Sequence, residues 1–358
     1  MSPSSSPSSS SSSVMLFWTT YVLAPIYVSI RICLANRLPI TDCDETFNYW
    51  EVVYYLLYGQ VGSGGGNDGI SNSTATTMTD DYFTAVSDTV VFPGYQTWEY
   101  SNEFALRTYA YLLPLVALGR FYDTILRKNY FLSSSMNVIW TLLAPQQDVS
   151  SSVKVGVFIL LRATLGAWMA IGEVSFCRAL SSLTITGSSG QPHQQKEQEE
   201  RYYLTTTVTV ATVTAVLMLT STGMGHSAAA LLPSSTIMGI WMYAATAFVE
   251  RRDVEFCALA IVATLAVGWP FGVVVFIPLG VGVLIRRYYN AGWTSLFRLI
   301  SIVVLLTATI QLTVMTIDYQ HYDRIVSPLW NILMYNTRAG LDELYGVEPW
   351  TYYVKNLL

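Results

Sequence analysis

Apolar runs of nearly bilayer-spanning length recur along this chain, and they constrain its fold more than any other feature. A transmembrane helix needs about 20 consecutive, mostly apolar residues. Hydrophobic residues make up 52% of the chain and charged residues only 12%, whereas soluble domains carry about 25% charged residues. The sequence therefore predicts an all-α polytopic membrane protein, with spans at 14–30, 154–180, 203–222, 234–249, 254–269, 272–286 and 296–317.

The N-terminus differs from the rest of the chain. Residues 1–13 are a low-complexity Ser/Pro segment without charge, which predicts a disordered tail before a single membrane domain at 14–358. The run at 14–30 lacks the basic leading region and the small-residue cleavage site of a signal peptide, so we expect a retained transmembrane helix. The net charge of -5 and the lack of a Lys/Arg block argue against a nucleic-acid partner.

The distribution of basic residues predicts the orientation in the membrane. With a cytosolic N-terminus, Arg178, Arg251-Arg252 and Arg286-Arg287 all fall on the cytosolic side, as the positive-inside rule requires. The long loop at 34–152 then faces a lumen.

Two parts of this long loop differ in composition. Residues 61–91 are rich in Gly, Ser, Thr and Asp and predict a flexible insertion. Residues 93–127 are aromatic, with apolar positions at helical spacing, and predict helices that lie along the membrane surface. A full span at 108–126 is the alternative interpretation, and it would invert every downstream loop.

Four acidic and three aromatic side chains lie close together in the string Asp42-Cys-Asp-Glu-Thr-Phe-Asn-Tyr-Trp-Glu51. A carboxylate held there is suited to take a proton from a weak nucleophile such as a hydroxyl, and neighbouring rings can stack on sugars. An exposed acidic loop without a catalytic role is the competing interpretation.

The acidic string is one of several sequence motifs that occur in a recognisable order. These motifs lie at 42–51, 95–101, 104–113, 221–224, 232–235, 268–271 and 344–350. Together they resemble the dolichyl-phosphate-mannose-dependent mannosyltransferases of glycosyltransferase family 22, and within that family the α-1,2 branch of asparagine-linked glycosylation. The resemblance covers 34–358, with 61–91 as a gap.

The chain departs from this family at a few places. Val52 and Asn102 stand where the family pattern has prolines. Relatives continue beyond Trp350, so we expect the chain to be incomplete at its C-terminus.

The resemblance implies a fold and an activity. The implied fold is a GT-C type transmembrane helix bundle, with a large first luminal loop that carries membrane-surface helices. The implied activity is inverting transfer of mannose from dolichyl phosphate mannose to a lipid-linked oligosaccharide acceptor, with an α-1,2 linkage. The expected location is the endoplasmic reticulum membrane, multi-pass, in contact with membrane lipid and with the active site facing the lumen.

The resemblance implies no cofactor. Asp42-Cys43-Asp44 has the spacing of a metal-binding Asp-X-Asp motif. The donor, however, has no nucleotide diphosphate whose charge a metal would neutralise. A divalent metal is therefore not expected to be required.

The resemblance also assigns roles to residues. Asp44 is the expected base, with Glu45 or Asp42 as its orienting neighbour or an acceptor contact. A cation would stabilise the departing phosphate, and aromatic rings would stack on mannose. The expected substrate-binding residues are Arg324, His321, Arg107, Trp98, Glu99 and Trp50.

Two alternatives stay open on the sequence alone. Another family 22 enzyme, α-1,6 on the same pathway or acting on glycolipid anchors, would share the base and differ in its acceptor contacts. A membrane transporter would instead need ionisable residues at mid-bilayer. Glu173, partnered by Arg162 or Arg178, is the candidate for that role.

Overall fold

The computed structural model describes residues 22–59, 96–128, 153–183 and 193–337, together with 351 and 355. The Ser/Pro tail at 1–13, the insertion at 61–91 and the 344–350 string lie outside the described residues. Every regular element in the described ranges is helical. The α-helices are α1 (Ala24–Arg37), α2 (Cys43–Glu45), α3 (Glu51–Tyr58), α4 (Leu113–Lys128), α5 (Val153–Ser181), α6 (His193–Thr220), α7 (Thr222–Ser227), α8 (Pro233–Val249), α9 (Asp253–Leu265), α10 (Ile277–Tyr322) and α11 (Pro328–Thr337).

Among the described residues, two helical stretches are long and apolar enough to cross a bilayer. They are Val153–Ser181, with a mean hydropathy of 1.8, and Pro270–Tyr322, with 2.1. The predicted spans at 234–249 and 254–269 are helical as α8 and α9, but these have only 17 and 13 residues. The all-helical prediction is confirmed for the described residues, and the number of spans stays a prediction.

The predicted spans at 272–286 and 296–317 lie on two helical segments that meet at a kink. The helix α10 has 46 residues and a single break at Gly292, where φ is 69° and ψ is -172°. Glycine adopts this conformation because it has no Cβ to clash with the backbone. The chain therefore changes direction at Gly292 without a connecting loop.

The region predicted to carry membrane-surface helices is only partly helical. A 3₁₀ turn at Trp98–Tyr100 is followed by irregular backbone, and α4 begins only at Leu113. A Cβ at Gly119 would lie 2.9 Å from the Leu57 side chain, so α4 approaches α3 closely. The alternative span at 108–126 does not fit, because residues 108–112 lie outside the helix. That α4 lies along a membrane surface stays a prediction.

A buried ion pair fastens α1 to α5. Arg31 donates from Nε to Glu173 Oε2 at 3.0 Å and from Nη2 to Glu173 Oε1 at 2.6 Å. The same Nη2 also donates to the carbonyl of Met218 in α6 at 2.8 Å. A Cβ at Gly166 would lie 2.8 Å from the Arg31 carbonyl, so only glycine permits this approach of the two helices.

The suggested partners of Glu173 were therefore wrong. Arg162 donates instead to the Leu38 carbonyl at 2.9 Å, just beyond the C-terminus of α1. Arg178 lies 3.5 Å from Glu250. Arg31 in α1 pairs with Glu173 instead of Arg162 or Arg178, because α1 packs along α5 and places Arg31 beside Glu173.

Candidate active site

The acidic string forms the start of a helix rather than a loop. Asp42 caps it: Oδ1 accepts the backbone N–H of Asp44 at 2.8 Å and of Glu45 at 3.2 Å. From Cys43 the chain stays helical through a π turn at Thr46–Trp50 into α3. Asp42 thus satisfies two backbone donors that the helix leaves unpaired.

Glu45 points away from solvent and joins two distant segments. Its Oε1 accepts the indole N–H of Trp50 at 2.8 Å and the backbone N–H of Leu231 at 3.0 Å. Trp50 is 7% exposed and packs edge-on against Phe158. Neither Glu45 nor Trp50 is among the residues that line the cavity described below, and their roles in the reaction stay predictions.

A cavity of about 710 Å³ lies beside this helix start. It joins the acidic string, the 97–107 segment, the Trp269 turn before α10 and one face of α11. The cavity is lined by Cys43, Asp44, Phe47, Asn48, Thr97, Trp98, Glu99, Leu106, Arg107, Trp269, Ile332, Tyr335 and Asn336. The cavity therefore brings together four of the predicted site residues: Asp44, Trp98, Glu99 and Arg107.

Asp44 is exposed and is held by one neighbour on its own helix. Asn48 Nδ2 lies 3.5 Å from Asp44 Oδ1. The Oδ1 of Asn48 accepts a hydrogen bond from the hydroxyl of Thr97 at 2.6 Å. The Tyr100 hydroxyl donates to the Asn48 carbonyl at 2.8 Å. Sequence reasoning missed Asn48 and Thr97. The position of Asn48, one helical turn after Asp44, was the only available signal.

Arg107 supplies a positive charge to the cavity. Its Nε donates to Glu99 Oε2 at 2.5 Å and its Nη1 to the Tyr49 hydroxyl at 2.7 Å. The guanidinium also lies over the rings of Tyr49 and Trp269. Burial alone lowers the pKa of Arg107, but Tyr49 and Glu99 outweigh it, so the pKa lies above its ordinary value. Arg107 is therefore a permanent cation.

The end of α10 positions the segment that carries Arg107. Asp318 Oδ1 accepts the hydroxyl of Thr108 at 3.0 Å and the N–H of Tyr109 at 2.8 Å. The Tyr322 hydroxyl donates to the Arg107 carbonyl at 2.6 Å. These contacts hold the irregular backbone around Arg107 in place. They join residues that are 210, 209 and 215 positions apart in the sequence.

The other two predicted phosphate-binding cations lie elsewhere. His321 stacks on Tyr109 with ring centroids 4.2 Å apart, and its Nδ1 lies 2.9 Å from the Ile317 carbonyl. Arg324 is exposed and follows Asp323, whose φ of 52° ends α10. Neither side chain is part of the cavity wall. Of the three predicted cations, the structure places only Arg107 there.

The Asp-X-Asp spacing does bring ligand atoms together. One side-chain ligand atom each from Asp42, Cys43 and Asp44 lies within 4.8 Å of the others, and all three residues are exposed. Asp42 already accepts two backbone N–H groups, which leaves it less free to bind a cation. Whether the protein needs a metal stays a prediction.

Glu173, the residue on which the transporter hypothesis depended, is isolated from the cavity. Its side chain is fully buried in the ion pair with Arg31 and lines no part of the described cavity.

Comparisons with known proteins agree with the sequence resemblance. The model of the Alg9-like mannosyltransferase family matches residues 81–358. The chain is 30% identical over 331 residues to alpha-1,2-mannosyltransferase ALG9 of Mus musculus, which is 92% of this chain and 40% of the relative. It is 27% identical to alpha-1,2-mannosyltransferase alg9 of Schizosaccharomyces pombe, over 99% of this chain and 48% of that protein.

A shorter match points to a second kind of enzyme. GPI mannosyltransferase 3 of Candida albicans is 32% identical over 85 residues, 24% of this chain and 16% of that protein. The chain spans less than half the length of these curated relatives. No solved structure matches this chain.

Proposed function

The chain belongs to the Alg9-like mannosyltransferase family, and from this premise we propose that it transfers mannose from dolichyl phosphate mannose to a lipid-linked oligosaccharide. The names of the relatives in mouse and fission yeast support an α-1,2 linkage in the product. The match to a glycolipid-anchor enzyme covers only 24% of this chain, so it supports that alternative less. Because the chain spans 40% of the mouse relative, activity of these 358 residues is itself part of the proposal.

The observation that carries the proposal is that Asp44 and Arg107 line the same cavity. Transfer with inversion needs one base beneath the attacking hydroxyl and a positive charge beside the leaving phosphate. A second carboxylate acting as nucleophile belongs to a retaining reaction and is not needed.

Asp44 is proposed to take the proton of the acceptor hydroxyl. The hydroxyl oxygen then attacks the anomeric carbon of mannose, and the bond from that carbon to the phosphate oxygen breaks on the opposite face. The electron pair leaves with dolichyl phosphate, and the β-linked donor gives an α-linked product. The Asn48 amide, oriented by Thr97, supports Asp44 on its own helix.

Arg107 is proposed to bind the departing phosphate. A guanidinium forms strong, charge-assisted hydrogen bonds with phosphate oxygens. Glu99 and Tyr49 hold Arg107 before substrate arrives, so the cation needs no large rearrangement during reaction. With this cation on the cavity wall we propose that no divalent metal and no other cofactor is required.

A luminal site in a multi-pass GT-C type bundle of the endoplasmic reticulum membrane is part of the proposal. The basic residues Arg286 and Arg287 both pair with Asp253 at the α8–α9 turn, which supports a common cytosolic end. The Trp269 turn, on the cavity wall, lies at the other end of α9.

The test compares Asp44→Asn with Asp123→Asn in microsomes that lack the endogenous enzyme. Asp123 is a matched control, because it is an aspartate outside the cavity that pairs with Arg127 on α4. We expect wild type and Asp123→Asn to transfer mannose from synthetic dolichyl phosphate mannose to a lipid-linked oligosaccharide. We expect Asp44→Asn to lose at least about 100-fold of that rate, since it removes the general base.

The outcomes separate the parts of the proposal. Transfer by Asp44→Asn at the wild-type rate would contradict Asp44 as the base. A chain that transfers no mannose to any lipid-linked oligosaccharide would contradict the proposed activity. Transfer that requires an added divalent cation would contradict metal independence.

A further inference from the structure

Two parts of the cavity wall differ in chemistry. Arg107 lies 5.7 Å from the ring of Trp269. Trp269 leads directly into the 3₁₀ turn Pro270–Phe276, in which Phe271 is 42% and Val274 is 62% exposed. A cation beside exposed apolar side chains suits a phosphate that carries a long hydrocarbon chain. This part of the wall therefore fits the lipid-phosphate donor.

A second part of the wall presents an aromatic ring that is packed against its neighbours. Trp98 lines the cavity and is 42% exposed. Phe104 packs against its indole edge-on at 5.0 Å, and Tyr335 lies against it at 5.8 Å. Asn331 donates to the carbonyls of Phe104 and Ala105, which ties α11 to the loop that carries Phe104.

This arrangement suits a sugar ring rather than a lipid. An exposed indole offers a flat apolar face to the C–H groups of a pyranose, and its electron-rich surface favours their partial positive charge. The Asn336 amide, which also lines the cavity, is a group that can bond sugar hydroxyls. Because the ring is already packed, binding costs little additional side-chain entropy.

We propose that Trp98, Tyr335 and Asn336 form the acceptor subsite, in which a mannose ring of the oligosaccharide stacks on Trp98. This inference rests on the proposed function, because it takes the donor to be a lipid phosphate. The donor's mannose is bonded directly to that phosphate, so it must lie beside Arg107. The acceptor extends over several sugars and takes the remaining wall, which α11 completes.

The first experiment measures separate KM values for donor and acceptor. Trp98→Ala is expected to raise the acceptor KM about tenfold, which corresponds to about 1.4 kcal/mol, and to leave the donor KM within about twofold. Trp98→Phe retains an aromatic face and is expected to recover part of the loss. Asn336→Ala, at an exposed position, is expected to raise the acceptor KM without affecting folding.

Trp330→Ala is the matched control. Trp330 is an aromatic residue on the same helix, 58% exposed and outside the cavity wall. It is expected to change neither KM. An increase in the donor KM for Trp98→Ala, or an unchanged acceptor KM for both Trp98→Ala and Asn336→Ala, would overturn the assignment.

A second experiment separates this inference from the proposed function. Calorimetric titration of the purified chain with an α-linked mannotriose measures sugar binding without any transfer step. Binding by wild type that Trp98→Ala weakens about tenfold supports the subsite, even for a chain that transfers no mannose. Equal binding by wild type and Trp98→Ala would overturn the subsite and leave the proposed transfer standing. The same conclusion would follow if wild type transfers mannose but does not bind the mannotriose.

Discussion

Two arginine–glutamate pairs in this protein have the same chemistry and different surroundings. Arg31 and Glu173 join α1 to α5, and both side chains are 0% exposed. Arg107 and Glu99 lie on the cavity wall, 13% and 16% exposed. Glu173 accepts two hydrogen bonds from Arg31, whereas Arg107 divides its bonds between Glu99 and Tyr49. The first pair stabilises the fold, and the second places a charge where a ligand can reach it.

The difference arises from the space beside each arginine. Arg31 is enclosed by α1, α5, α6 and the neighbouring Gly225, and no ligand-sized space adjoins it among the described cavity residues. Arg107 keeps donors next to a cavity of about 710 Å³. Identical residue types therefore say little about function until their access to solvent is known.

The largest expected effect is loss of stability when the buried pair is broken. Glu173→Ala leaves a buried, unpaired guanidinium and is expected to lower the free energy of unfolding by about 3 to 5 kcal/mol. Thermal unfolding in detergent measures this loss. Glu255→Ala, which breaks the exposed pair with Arg252, is the control, with an expected loss of less than about 1 kcal/mol. Equal losses for both variants would remove the distinction between the two regions.

The cavity pair is expected to affect rate more than stability. Arg107→Gln removes the cation beside the leaving phosphate and is expected to slow transfer about 100- to 1,000-fold. Its unfolding temperature is expected to fall less than that of Glu173→Ala, because Glu99 faces the cavity and can be hydrated. Arg127→Gln, with a 57% exposed arginine, is the control for rate. Full activity of Arg107→Gln would show that the two pairs do not differ as proposed.

Glu45 sharpens the comparison, since it belongs to the acidic string but is buried like Glu173. Glu45→Ala leaves the Trp50 indole and the Leu231 N–H without their acceptor, and a loss of about 2 kcal/mol is expected. Glu45→Gln keeps an acceptor oxygen, so stability and transfer are both expected to stay close to wild type. A stable Glu45→Gln variant without transfer would instead place Glu45 in the reaction.

The smallest effect is expected at the exposed cap. Asp42→Ala removes the acceptor for two backbone N–H groups and is expected to cost about 1 kcal/mol. Asp42→Asn retains a capping oxygen and is expected to match wild type in unfolding and in transfer. Loss of transfer in a stable Asp42→Asn variant would give this carboxylate a chemical role beyond the cap.

Part of the predicted site lies together in the structure. Asp44, Trp98, Glu99 and Arg107 line one cavity, although their chemical roles stay predictions. Sequence reasoning placed Trp50 among sugar-stacking residues because an indole near acids has the same sequence signal whether it is buried or exposed. His321 and Arg324 were predicted as phosphate ligands because their side chains can carry positive charge, but only packing decides which cation lines the cavity.

The amino-acid sequence by itself determined the local secondary structure, which depends on residues close together in the chain. The apolar runs predicted helices, and the gap between the predicted spans at 272–286 and 296–317 contains the break at Gly292. Only the tertiary structure decided the contacts between distant residues. Arg31 and Glu173 are 142 positions apart, and Thr97 and Asn48 are 49 apart. The physical reason is that such pairs form only once helices pack, and the best partner then depends on burial and geometry that no local pattern encodes.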